Sequence, residues 1–156
     1  DHSVAVPLHF MTPQMQVPVI PIFVNGHVPP LPKAQRCFDL GRAVKRAIET
    51  WPRPLRVVTM GSGSFSLDVW GPRIAPGRSD GVPDPDWCTR VCTLLEEMQV
   101  PTLISEATET QMRKAGNVGG ELLNWIAMLG TIGERKPEFV KPQMQNGHAY
   151  AAWRRG

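Results

Sequence analysis

The chain has 156 residues, 42% of them hydrophobic and 20% charged, with a formal net charge of +3. That length suits one ordinary core, the composition excludes wholesale disorder, and no apolar run reaches the roughly 18 residues that would cross a bilayer. Basic residues are interspersed with acidic ones instead of forming a stripe, which argues against a nucleic-acid partner. Sixteen prolines and fourteen glycines are about 19% of the chain, against an ordinary share of about 12%, so loops must be extensive. Cys37, Cys88 and Cys92 are odd in number and lack metal-type CxxC spacing. The chain opens at Asp1 with no signal-peptide pattern, and a reducing cytoplasm is the expected compartment.

In chain order, 3–11 (SVAVPLHFM) and 17–24 (VPVIPIFV) are rich in β-branched residues and read as strands. Pro18 and Pro21 suit an edge or a bulge. Residues 25–33 (NGHVPPLPK) form a proline-dense loop. From Ala34 to Trp51 the period changes: Cys37, Leu40, Gly41, Val44, Ala47, Ile48 and Trp51 share one face, predicting an amphipathic helix that Pro52 and Pro54 end. PLRVVTM (54–60) reads as a short buried strand running into the glycine-rich GSGSFS, and 71–86 as a loop. Asp84 or Asp86 is placed to cap the next helix, whose apolar face is Trp87, Val91, Leu94, Leu95 and Met98. VPTLIS (100–105) reads as a short strand or a connection. Helices are expected over 107–114 and 118–129, and tail strands near 138–141 and 149–153. Strand, helix, strand predicts an α/β fold with a mixed central sheet flanked by helices.

For chemistry, GSGSFS lacks the lysine of a phosphate loop and the spacing of a dinucleotide fingerprint, so it reads as a site-lining turn. Glu121 follows Gly119-Gly120 in the first turn of a helix, where the dipole favours a carboxylate. It is either a plain capping glutamate or a buried ligand beside an apolar face. His2, His9, His27 and His148 form no HxxxH or HExxH pair, and taken singly each fits a surface or satisfied core position.

The ordered series carries more than the single residues. Asp1-His2-Ser3, Val6-Pro7-Leu8, Val24-Asn25 with its proline loop, Arg36-Cys37-Phe38 with Leu40-Gly41, Gly61-Ser62-Gly63, Gly71-Pro72-Arg73, and Ala115-Gly116 with Gly119 and Glu121 follow one another in that order. This series resembles the class III (LigB-type) extradiol ring-cleaving dioxygenases, in particular their protocatechuate 4,5-dioxygenase β-subunit and gallate dioxygenase branch. The likeness runs from Asp1 to about Trp125, with a weaker echo in the tail.

That resemblance implies a non-haem Fe(II) held by two histidines and one glutamate, a facial triad with open positions for a catecholic aromatic substrate and O₂. Ala115-Gly116-Asn117-Val118-Gly119-Gly120-Glu121 matches the family's A/S-G-x-x-G-x-E segment, making Glu121 the expected iron carboxylate. His2 matches the active-site histidine of the family's Asp-His, and His27 in the proline loop is a candidate substrate contact. The family's two histidine ligands lie upstream of Asp-His, so residues 1–156 read as the C-terminal portion of one catalytic domain whose N-terminal half this chain lacks. The family also carries an acid–base histidine in its G-x-G-x-x-S-H segment, where Leu67 stands here. The expected function is therefore an extradiol dioxygenase acting on a protocatechuate- or gallate-type acid. The alternative is a non-catalytic paralogue serving as a structural or interaction subunit. An oligomer, with itself or with a small α subunit, is expected, and Trp70, Trp87 and Trp153 offer apolar surface to a partner.

Overall fold

Helices and two small antiparallel hairpins make up the chain in the computed structural model, which describes residues 2–154, with side chains from Val4 onward. The helices are α1 (His2–Met11), α2 (Ala34–Glu49), α3 (Pro85–Glu96), α4 (Val100–Glu106), α5 (Glu109–Lys114) and α6 (Leu122–Ile132). One hairpin pairs β1 (Asp68–Val69) with β2 (Asp80–Gly81). The other pairs β3 (Phe139–Gln143) with β4 (His148–Ala152), in a register that sets Phe139 against Ala152 and Gln143 against His148. No helix among the described residues is long and apolar enough to cross a membrane.

The core follows the apolar stripes of the sequence. Leu122, Leu123, Ile126 and Leu129 of α6 are fully buried, facing Cys37 and Gly41 of α2 on one side and Phe65 on another. Val91, Cys88, Leu94 and Leu95 of α3, with Leu103 of α4 and Met112 of α5, complete the apolar interior. Helices α2 and α6 meet at backbone distance: a Cβ on Gly41 would fall on the Ala127 carbonyl oxygen and 2.9 Å from the Gly130 Cα. Asp84 caps α3 as expected, its Oδ1 accepting the Trp87 N–H at 3.1 Å. The tail hairpin falls where strands were predicted.

Several expectations are corrected. Residues 3–11 are helical, not a strand, and the Thr12 N–H donates to the Leu8 carbonyl at 2.7 Å at the end of that helix. With no neighbouring strand in reach, a helix satisfies this backbone from within, whereas an isolated strand leaves it unpaired. Residues 100–105 lie in α4, with Pro101 in the first turn, a position the helix tolerates. Segments 17–24 and 54–60 belong to no ladder, and apart from Val24, which packs on the core, their apolar side chains face solvent: Ile20 is 88% exposed and Val58 78%. The mixed α/β character stands, but no central sheet forms among the described residues, because these two apolar segments have no strand beside them. Of the three tryptophans expected at a surface, Trp70 is exposed, whereas Trp87 is buried in the core and Trp153 packs against it.

Candidate active site

Glu121 closes a single 3₁₀ turn (Gly119–Glu121) directly before α6, and three separate backbone segments converge on it. The first is the loop after 17–24. Asn25 shapes it by an Asx turn, its Oδ1 accepting the His27 and Val28 N–H groups at 3.2 and 3.0 Å. Gly26 and Gly120 lie face to face, and a Cβ on Gly26 would sit 2.7 Å from the Gly120 oxygen. This close approach aims His27 at the carboxylate, with its Nε2 3.4 Å from Glu121 Oε1.

The second segment is the GSGSFS turn. The Ser64 N–H donates to Glu121 Oε2 at 2.8 Å. The turn is in turn held from α6: Asn124 Nδ2 donates to the Ser62 carbonyl and Trp125 Nε1 to the Gly63 carbonyl, each at 2.9 Å. Trp125 also meets Phe65 edge to face, with ring centroids 5.0 Å apart. At the far end of the turn the C-terminal hairpin takes hold, the Gly147 carbonyl accepting the Phe65 and Ser66 N–H groups at 2.7 and 3.0 Å. Gly147 is left-handed and abuts the Ser66 carbonyl, so only glycine fits this contact.

The third is the segment 115–121 itself, docked on residues 67–70. Asn117 does most of this. Its N–H donates to Asp68 Oδ1 at 2.6 Å, its Oδ1 accepts the Val69 N–H, and its Nδ2 donates to the Val69 and Trp70 carbonyls. Buried Asp68 is also gripped by Arg73, whose Nε lies 2.7 Å from Oδ2 and whose Nη2 lies 2.7 Å from Oδ1.

The outcome is a carboxylate with one oxygen fixed by a backbone N–H and the other turned to an imidazole, its side chain 27% exposed. A carboxylate is a donor that suits Fe(II), and a ligand carboxylate held by an outer hydrogen bond is the usual arrangement of a metal site. No group of three His, Cys, Asp or Glu side chains gathers among the described residues. Glu121 and His27, predicted separately, are brought together; the side chain of His2 lies outside the described residues. Sequence reading missed the anchoring roles of Asn25, Asn117, Asn124 and the Ser64 N–H. An Asn-Gly pair at 25–26 was the one local signal available.

Comparison with known proteins identifies the relatives of this chain. A sequence profile described as the catalytic LigB subunit of aromatic ring-opening dioxygenase matches residues 1–153. Gallate dioxygenase from Pseudomonas putida is 32% identical over 152 residues, 92% of this chain and 42% of its own length. The Escherichia coli 2,3-dihydroxyphenylpropionate/2,3-dihydroxicinnamic acid 1,2-dioxygenase is 28% identical over 171 aligned positions, 85% of this chain and 54% of its own. The chain spans about half the length of these curated relatives.

Proposed function

The chain belongs to the LigB family of aromatic ring-opening dioxygenases, and on that premise we propose that it forms the C-terminal portion of a non-haem Fe(II) extradiol dioxygenase cleaving a catecholic aromatic acid with O₂. The observation that carries the proposal is the Glu121 carboxylate, held on Oε2 by the Ser64 N–H and presenting Oε1 beside His27. In this reading Glu121 is one iron ligand, and two histidines come from a part of the domain outside these residues. The exposed apolar segments 17–24 and 54–60 support such a division, because each runs into a site loop and neither has a strand beside it. They are the natural edges on which the remaining strands would pair.

Iron held by Glu121 and the two histidines would supply Lewis-acid and redox chemistry for the diol and O₂. The residues of this chain then do the rest. The Ser64 N–H and the Gly26–Gly120 contact fix the carboxylate before any ligand arrives, so no reorganisation is needed at the moment of reaction. His27, with its Nε2 3.4 Å from Glu121 Oε1, contacts the substrate. His2 accepts a hydroxyl proton and returns it as the carbon–carbon bond beside the diol opens. Both atoms of O₂ enter the product, so no external reductant is required. The gallate and 2,3-dihydroxyphenylpropionate named for the relatives are aromatic acids with adjacent hydroxyls, which supports a substrate of this class. The working compartment is the cytoplasm.

The test is O₂ uptake by the full-length protein, loaded anaerobically with Fe(II), on protocatechuate, gallate and 2,3-dihydroxyphenylpropionate. Ring cleavage of at least one is expected, with one iron per site, and failure on the whole panel overturns the reading. Leu67 favours a second reading, a non-catalytic subunit, since the family's acid–base histidine is missing there. A Leu67→His variant separates the two: a sound active site changes its pH–rate profile, whereas a dead subunit gains nothing.

A further inference from the structure

Two stretches of backbone, 64–69 and 117–121, lie side by side and run in opposite directions, although they are not strand partners: β1 pairs with β2. Their contacts keep one register. Asp68 and Val69 meet Asn117, the Leu67 carbonyl accepts the Val118 N–H at 3.2 Å, and the Ser64 N–H reaches the Glu121 carboxylate at 2.8 Å. Leu67 and Ser64 are three positions apart, as are Val118 and Glu121. A slip of one residue would therefore set the Ser64 N–H opposite Gly120 or Leu122, neither of which carries a carboxylate. Gly116 lets the stretches touch, since a Cβ there would fall on the Leu67 carbonyl oxygen.

The end of this pairing remote from Glu121 is held by charge. Asp68 is buried, and its Oδ1 accepts both the Asn117 N–H at 2.6 Å and Arg73 Nη2 at 2.7 Å. Arg73 Nε lies 2.7 Å from Oδ2, and Nη1 donates to the Lys114 carbonyl at 3.2 Å, at the end of α5 where the chain enters 115–121. One guanidinium thus ties both stretches to one carboxylate. Charge-assisted hydrogen bonds are about twice as strong as neutral ones, and a buried carboxylate moved off its partners is left desolvated and unpaired. The neutral bonds from the Asn117 side chain to Val69 and Trp70 resist a slip less.

We propose that Asp68, clamped by Arg73, is a positioning residue for the Glu121 carboxylate. It locks the register of 115–121 on 67–70 and so decides which side chain meets the Ser64 N–H. Its own bonds go to Asn117 and Arg73, and its influence reaches Glu121 through the backbone of 117–121. The assignment rests on the reading of Glu121 as a metal ligand and deepens it by naming what aims that ligand.

The experiment measures Co(II) affinity of the full-length protein by competition with a coloured chelator, together with the Co(II) absorption bands, below the unfolding midpoint of each variant. Asp68→Asn and Arg73→Gln are each expected to lower affinity about 10-fold, the low end for partners behind a ligand, and to shift the bands. Arg73→Lys, which keeps the charge and loses the fork, recovers part of the loss. Glu121→Gln loses more, and adding Asp68→Asn to it costs little further, because Asp68 acts through that ligand. Arg73 is half-exposed, so its variants carry the test if Asp68→Asn does not fold. Wild-type affinity and bands in folded Asp68→Asn and Arg73→Gln overturn the assignment, as does a loss that adds in full to that of Glu121→Gln. If Glu121→Gln itself keeps the metal, the ligand reading falls and the lock with it. If Glu121→Gln releases the metal while the Asp68 and Arg73 variants hold it, the lock falls alone.

Discussion

Gly63 offers a direct probe of how the Glu121 carboxylate is held. A Cβ at that position would lie 2.6 Å from both the Cβ and the backbone oxygen of Glu121, where ordinary contact begins at 3.4 Å. Neither atom is the tip of a flexible side chain, so in a Gly63→Ala variant the loop must retreat by about 0.8 Å. The Ser64 N–H to Oε2 distance, now 2.8 Å, would lengthen past the hydrogen-bond limit of about 3.2 Å. A hydrogen bond to a charged group is worth about 1.5–3 kcal/mol, and loss of an outer-shell partner lowers metal affinity roughly 10- to 100-fold. The assay is Fe(II) or Co(II) affinity of the full-length protein by chelator competition, read beside its unfolding midpoint. Trp125→Phe, which removes the bond to the Gly63 carbonyl and shrinks the ring packed on Phe65, should give a smaller loss in the same direction. Unchanged affinity in a folded Gly63→Ala protein would refute the idea that this loop sets the carboxylate.

Three further outcomes follow from the packing and the charges. Gly41→Ala gains about 1 kcal/mol of helix propensity but forces a methyl onto backbone atoms of α6. Overpacking of about 1–3 kcal/mol wins, and Tm should fall by about 2–8 °C; a rise would show that the helices part easily. Burial pushes the Asp84 carboxyl up, but hydrogen bonds from Lys114, the Trp87 N–H and Gln111, with the Lys114 charge, outweigh it and hold the group below its ordinary 3.8. A carboxyl lowered by folding stabilises the fold above its unfolded value and loses that contribution as pH falls below about 4. Urea unfolding from pH 6 to 3 should therefore show a shallower acid decline in Asp84→Asn, and parallel curves would disprove it. Burial holds the Cys37 thiol up, and the hydrogen bond shared with Cys88, then burial, raises Cys92. All three buried cysteines should resist thiol reagents until the chain unfolds; rapid labelling of Cys37 or Cys92 under native conditions would contradict the packing.

Helices α2, α3 and α6 were legible because their partners lie within the same chain: an apolar stripe every third or fourth residue marks a face that must be covered, and it is covered. The same logic misled at 17–24 and 54–60. There the β-branched runs mark strands by composition, but a strand exists only by pairing, and composition says nothing about what stands alongside. Residues 3–11 show the complementary case, in which Val4, Val6 and Phe10 lean toward strand yet the unpaired backbone closes on itself as a helix. At the site, two glycines and a helix start singled out Glu121 as a capping glutamate or a ligand, and the ligand reading came only with the family resemblance. The role of Ser64 was not, since its N–H reaches a carboxylate 57 positions away in sequence. Nor was the meeting of Gly26 with Gly120, for a glycine needed for close approach looks the same in sequence as one in a loose turn. His27 read as a candidate substrate contact, and the Asx turn at Asn25 shapes the loop that sets it 3.4 Å from the carboxylate.

The grip of Gly147 on Phe65 and Ser66 has a consequence for the order in which the site is made. The turn that fixes Glu121 leaves the ribosome long before the hairpin that secures its far end. Until β3 and β4 emerge, Ser64 has a neighbour on only one side, and the carboxylate is anchored to a turn that is itself untethered. Completion of the site is thus deferred until β3 and β4 have been made. A nascent chain halted before β3 would carry every residue of the 61–66 turn and of segment 115–121 and still lack the contact that holds the far end of the turn.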